Sequence, residues 1–122
     1  MKFRDYFTNE FHTAEDHYIP SLRSRYYRST LANAIEAIKE IAKKHKGVIK
    51  HVDDVRGEIL FDSQKFSANV IITSTSYTET AVDLLITTYG ILPLGKGKKI
   101  IEQIYTDIDK KLPFKGVSLY KG

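Results

Sequence analysis

The chain has 122 residues, of which 42% are apolar and 28% charged, and its formal net charge is +4. That length predicts one domain around one core. There is no cysteine, which excludes disulfides, thiolate nucleophiles and Cys-ligated metals and suits a reducing cytosol.

The opening MKFRDYFTNEFH carries charges and no apolar centre, so it does not read as a signal peptide. No apolar run approaches the ~20 residues of a membrane-spanning helix. The positive charge is uneven: residues 1–18 and 51–90 are net acidic, while 19–50 and 91–122 are net basic. Such blocks usually decorate solvated helix faces, but they also suit nucleic acid or other polyanions.

In chain order, the first segment places Phe3, Tyr6, Phe7 and Phe11 at helical spacing, an aromatic stripe on a short helix. The cluster His12, Glu15, Asp16 and His17 has metal-ligating residue types. His12 and His17 lie five apart, which misaligns them on a helix, so a polar turn is expected and no metal. After Pro20, Leu22 to Arg28 reads as a strand. Arg23, Arg25, Tyr26, Tyr27 and Arg28 interleave cations and rings, as single-stranded nucleic acid requires. A charged edge strand with packed tyrosines explains the same pattern.

Leu31, Ala34, Ile35, Ile38, Ile41, Ala42 and His45 follow one helical stripe. Ser29 or Thr30 is its N-cap and Gly47 its end. His45 falls on the packed side of this helix, as a hydrogen-bonded residue. Val48 to Val52 is a short strand, and Asp53–Asp54 a turn. Val55 to Asp62 is an alternating strand, and Ser63–Lys65 the next turn. The carboxylates Asp53, Asp54, Glu58 and Asp62 lack the facing geometry of an acid–base pair.

From Phe66 to Tyr89 the chain is rich in Thr, Val, Ile and Tyr. A turn around Tyr77 sets Ile72 opposite Val82, Val70 opposite Leu84 and Ala68 opposite Ile86, which places all three pairs on one face. Opposite them lies an open face with Ile71, Thr73, Leu85 and Tyr89. Exposed apolar groups of this kind mark interaction surfaces, and the N-terminal aromatic segment, a second copy or a ligand is expected to cover them.

Gly90-Ile-Leu-Pro-Leu-Gly95-Lys96-Gly97 mimics the spacing of a phosphate-binding P-loop. Gly97 stands where Ser or Thr would hold magnesium, and Pro93 removes an N–H. A simpler anion site survives there, with Lys96, Lys98 and Lys99 at the start of the second helix. That helix spans about Lys98 to Leu112, with Ile101, Ile104, Tyr105 and Ile108 inward, and Pro113 stops it.

The order strand, helix, four strands, helix resembles the TATA-binding-protein repeat and its relatives, including helix-grip lipid-binding folds. The chain also has the look of small cytosolic proteins of Gram-positive bacteria. The expected fold is α+β: a curved antiparallel sheet, β-α-β-β-β-β-α, with both helices on one face. Residues 1–19 form the aromatic segment, 20–113 the core and 114–122 a tail. Ile35, Ile38, Ile59, Phe61, Val70, Ile72, Val82, Leu84, Ile101 and Ile104 are expected in the interior.

The function expected is a cytoplasmic, non-catalytic binding or protein-interaction module that self-associates, with no cofactor and no membrane partner. One alternative is a nucleic-acid-associated protein using Arg23, Arg25, Tyr27, Arg28, Lys96 and Lys98. The other is a small-molecule or lipid carrier, with its ligand between the sheet and the second helix.

Overall fold

The computed structural model describes residues 2, 8–90 and 94–118. Its elements are β1 (Glu10–His12), β2 (Arg25–Tyr27), α1 (Leu31–Lys44), β3 (Val48–Asp53), β4 (Glu58–Asp62), β5 (Phe66–Ser76), β6 (Glu79–Thr88), α2 (Lys96–Lys111) and β7 (Phe114–Val117). The fold is α+β. The strands form one antiparallel sheet in the order β3-β4-β5-β6-β2-β7, with β1 also paired to β6.

The central ribbon follows directly from the alternation. Ile72 pairs with Val82, Val70 with Leu84 and Ala68 with Ile86. Their side chains meet the inward stripes of α1 and α2 in one core. All ten residues expected in the interior are buried there. At roughly 25 cal/mol per Å² of apolar area, such burial is the main force holding both helices on the sheet. Tyr105 adds a buried anchor, its hydroxyl donating to the Val82 carbonyl at 2.7 Å.

Thr30 caps α1 by accepting the Asn33 N–H. The left-handed residue past this helix is Lys46, at φ 55°, one position before Gly47. Gly47 is needed for a different reason. A Cβ there would stand 2.7 Å from Phe61 Cδ2.

Several boundaries differ from the sequence expectation. Two short strands, β1 and β7, extend the expected order at both ends. Phe11 is not on a helical stripe; it lies in β1 opposite Ile86 and is buried against Gly97 of α2. It therefore belongs to the helix-covered core and does not shield the open face. Phe3, Tyr6 and Phe7 lie outside the described residues. Phe114–Val117, expected in a tail, pairs with β2.

Leu22 does not start the strand: Pro20–Leu22 is a 3-10 turn, and Leu22 is fully buried. Val55 is 89% exposed and precedes β4. The Asp53 carboxylate accepts the Val55 and Arg56 N–H groups, so the Asp-rich turn runs on to Gly57 before the strand begins. At the other end of the core, α2 begins two residues earlier than its spacing indicated, after Gly95 in the left-handed region.

β1 and β2 lie end to end along the same edge of β6. Thr13 spans the gap between them. Its N–H donates to the Leu84 carbonyl, and its hydroxyl oxygen accepts the Leu84 N–H at 2.9 Å. The Asp83 carboxylate accepts from both Thr13 and Ser24, which ties the two short strands together. Among the described residues no helix is long and apolar enough to cross a membrane.

Candidate functional site

The Arg25 and Tyr27 side chains of β2 are committed to partners within the protein. Arg25 and Tyr27 share a sheet face, as alternation requires, and both reach Asp109 of α2. The Arg25 guanidinium donates to Asp109 Oδ2 at 2.6 Å, and the Tyr27 hydroxyl to Oδ1 at 2.7 Å. Arg25 also lies over the Phe114 ring, 4.0 Å from its centre. Tyr27 is fully buried, so its ring is closed to a stacking base. Burial and the bond to Asp109 push its phenol far upward.

Arg23 donates to the His17 carbonyl, while Arg28 is exposed. Tyr26 bonds Glu15, which pushes the Tyr26 phenol up to about 12. Glu15 and His17 are thus engaged separately, and no described group of three or more His, Asp or Glu is placed to hold a metal.

The other buried polar cluster joins the helices. Asp107 is 3% exposed and accepts from Lys44, from His45 Nε2 at 2.9 Å and from Gln103 at 3.0 Å. Burial works to raise its pKa, but the three hydrogen bonds outweigh it and hold the carboxyl below its ordinary value. The His45 ring also meets Phe66 edge-on. Here His45 serves packing, in line with its place on the helix stripe.

The open sheet face carries Ile71 (41% exposed), half-buried Leu85 and exposed Thr73. Tyr89, expected beside them, stands farther along at the end of β6. There it lines a cavity of about 520 Å³ with Gln64, Lys65, Thr88, Gly90, Lys96, Lys99 and Ile100. This cavity is of small-molecule size.

Its construction follows from the fold. The β5–β6 register continues past Phe66↔Thr88, so Tyr89 N–H donates to the Lys65 carbonyl at 3.0 Å. On the far wall, Gly95 at φ 75° admits the chain to α2 in a left-handed turn. Gly97 lets the helix descend onto Phe11, since a Cβ there would come within 2.7 Å of that ring. Gly95 is thus explained by the left-handed turn and Gly97 by its close approach to the Phe11 ring. Ile91, Leu92 and Pro93 of that motif lie outside the described residues.

Three lysines, Lys65, Lys96 and Lys99, are among the residues that line the cavity. None of them has an ion-pair partner among the described residues. Lys98, by contrast, is paired to Glu102 at 2.8 Å along the helix. No Asp or Glu is among the described lining residues. No side chain caps the start of α2, so the positive end of the helix dipole adds to the lysines. Tyr89 and Ile100 supply an apolar body. Lys65 escaped the motif reading, although the hairpin register places it opposite Tyr89.

No family model, curated protein or solved structure matches the chain.

Proposed function

We propose that the protein is a non-catalytic binding protein for a small anion with an apolar or planar body, held in the cavity between the sheet and the start of α2. The observation that carries this reading is the convergence of Lys65, Lys96 and Lys99, unpaired among the described residues, on one cavity with no described acidic lining. A phosphate or carboxylate head would meet charge-assisted donors, worth roughly twice a neutral hydrogen bond. Tyr89 and Ile100 would cover the body of the ligand. The cysteine-free composition suits a cytoplasmic setting.

A second reading extends the site to a polyanion. α1 ends over the β4–β5 turn that carries Lys65, with the Gly47 backbone close to Phe61 and Asp62. Lys43 and Lys46 at that end have no ion pair among the described residues and are exposed. A nucleic-acid backbone would be gripped by these lysines, since Arg25 and Tyr27 are held by Asp109.

Titration with phenyl phosphate and with a single-stranded oligonucleotide separates the two. A small-anion site binds phenyl phosphate and loses it in Lys65→Gln/Lys96→Gln/Lys99→Gln. A polyanion site binds the oligonucleotide with a steep salt dependence, because each neutralised phosphate releases counterions, and weakens further when Lys43 and Lys46 are replaced. Absence of both forms of binding refutes the anion reading.

A further inference from the structure

The two sides of the molecule carry opposite uncompensated charge. On the helix side, the acids of α1 and α2 are matched: Glu36 with Lys39, Glu40 with Lys111, Asp107 with Lys44, Glu102 with Lys98 and Asp109 with Arg25. Among the described residues Lys96, Lys99 and Lys110 of α2 have no ion pair, and neither do Lys43 and Lys46, which stand together at and just past the C-terminal end of α1. On the open sheet face the surplus is acidic. Ile59, Phe61 and Phe11 point into the core, so alternation turns Glu58, Asp62 and Glu10 outward. None of these three has an ion pair among the described residues.

The pairing register places these groups in rows. One row is Asp62, Ser67, Thr87 and Glu10 across four strands. Another is Glu58, Ile71 and Asp83. Between them run His51, Leu60, Asn69, Leu85 and His12. Arg56, in the turn before Glu58, is the cation nearest in sequence to the Glu58 row. The Asn69 amide oxygen in the middle row is buried without a hydrogen-bond partner. The face is thus a small apolar strip of Leu60, Ile71 and Leu85, edged by carboxylates.

We infer that this face docks the lysine-bearing end of α1 of a second copy, with Lys43 and Lys46 set against Glu58 and Asp62. Pairing of the face with itself is disfavoured, because a two-fold axis would bring the carboxylate rows together. A face-to-end contact is heterologous, so it propagates into rings or chains instead of stopping at a dimer. The exposed apolar area is small, so association is weak and fades with salt as the charges are screened. Lys43 and Lys46 do not line the cavity at α2, so this contact stands apart from the small-anion reading, while it uses the same lysines as the polyanion reading.

Sedimentation of the full chain without ligand tests it. At low salt the mean mass should rise above 14.0 kDa with concentration and return to that of the monomer when salt is added. Glu58→Lys/Asp62→Lys should remain monomeric, and so should Lys43→Glu/Lys46→Glu. An equimolar mixture of the two should associate again, because the first keeps the lysine end and the second the acidic face. Circular dichroism of each variant establishes folding, and the mixture would not recover if either had lost its structure. A wild-type mass fixed at one copy up to several hundred micromolar overturns the inference. So does association that survives in both variants alone.

Discussion

Replacing Asp107 with Asn tests the junction that holds the two helices together, and through it the placement of the basic end. The carboxylate is 3% exposed and receives Lys44, His45 and Gln103. Breaking a buried ion pair by removing one partner costs ~3–5 kcal/mol. Here the Lys44 side chain is 54% exposed, so its ammonium returns to water cheaply. His45 and Gln103 then lose the better part of their partner, and the amide nitrogen of Asn faces donors. A loss of about 1.5–3 kcal/mol follows.

Urea unfolding at pH 7 should show a lower midpoint with an unchanged slope. The sign with pH is set by the depressed native pKa of Asp107. Its stabilisation is fully present above the unfolded carboxylate pKa of about 4 and disappears as pH falls through the native value. The difference between wild type and Asp107→Asn should therefore shrink on acidification. Glu40, Glu79, Glu102 and Asp53, whose pKa values are also lowered, act alike in both proteins and cancel. A constant difference down to low pH, or none at pH 7, refutes the reasoning.

Two further substitutions separate backbone from side-chain effects. Gly57→Ala adds a Cβ 2.2 Å from the Ile72 carbonyl oxygen, at φ +78°; the left-handed penalty of ~1–2 kcal/mol plus displacement of β5 should cost at least ~3 kcal/mol in urea unfolding, whereas Gly116→Ala, with no atom within 4 Å, should change little. Tyr27→Phe removes the donor to Asp109 and should cost ~1 kcal/mol by thermal unfolding; binding of single-stranded nucleic acid, if any is present, should be unchanged because the ring is buried, and a large loss of such binding would restore Tyr27 as a contact.

The central ribbon was legible because ten or more alternating residues admit only one register that buries Val70, Ile72, Val82 and Leu84 together. β1 and β7 were not: three or four residues show no periodicity, and their pairing depends on an edge of β6 and β2 formed far away in the chain. Arg25 and Tyr27 lie on one face of β2 as alternation requires, whereas Arg23 precedes the strand, and Asp109, the partner of the other two, lies more than eighty residues later. Of the basic loop, Lys96 and Lys99 were found at the cavity. The pairing of Lys98 with Glu102 was visible in the i, i+4 spacing. Lys65 was recoverable from the register, one step beyond Phe66↔Thr88. The open face with Ile71 and Leu85 was read from alternation alone, while its uneven charge emerged once the strands were set side by side.

The central claim is that Lys65 and the lysines at the start of α2, unpaired among the described residues, make one small-anion site. A ¹H–¹⁵N NMR titration with phenyl phosphate tests it residue by residue. The account predicts saturable shifts centred on Lys65, Thr88 to Gly90 and Lys96 to Ile100, which vanish in Lys65→Gln/Lys96→Gln/Lys99→Gln while the rest of the spectrum is retained. Shifts scattered over every lysine-bearing surface, or saturation that persists in the triple variant, would contradict it.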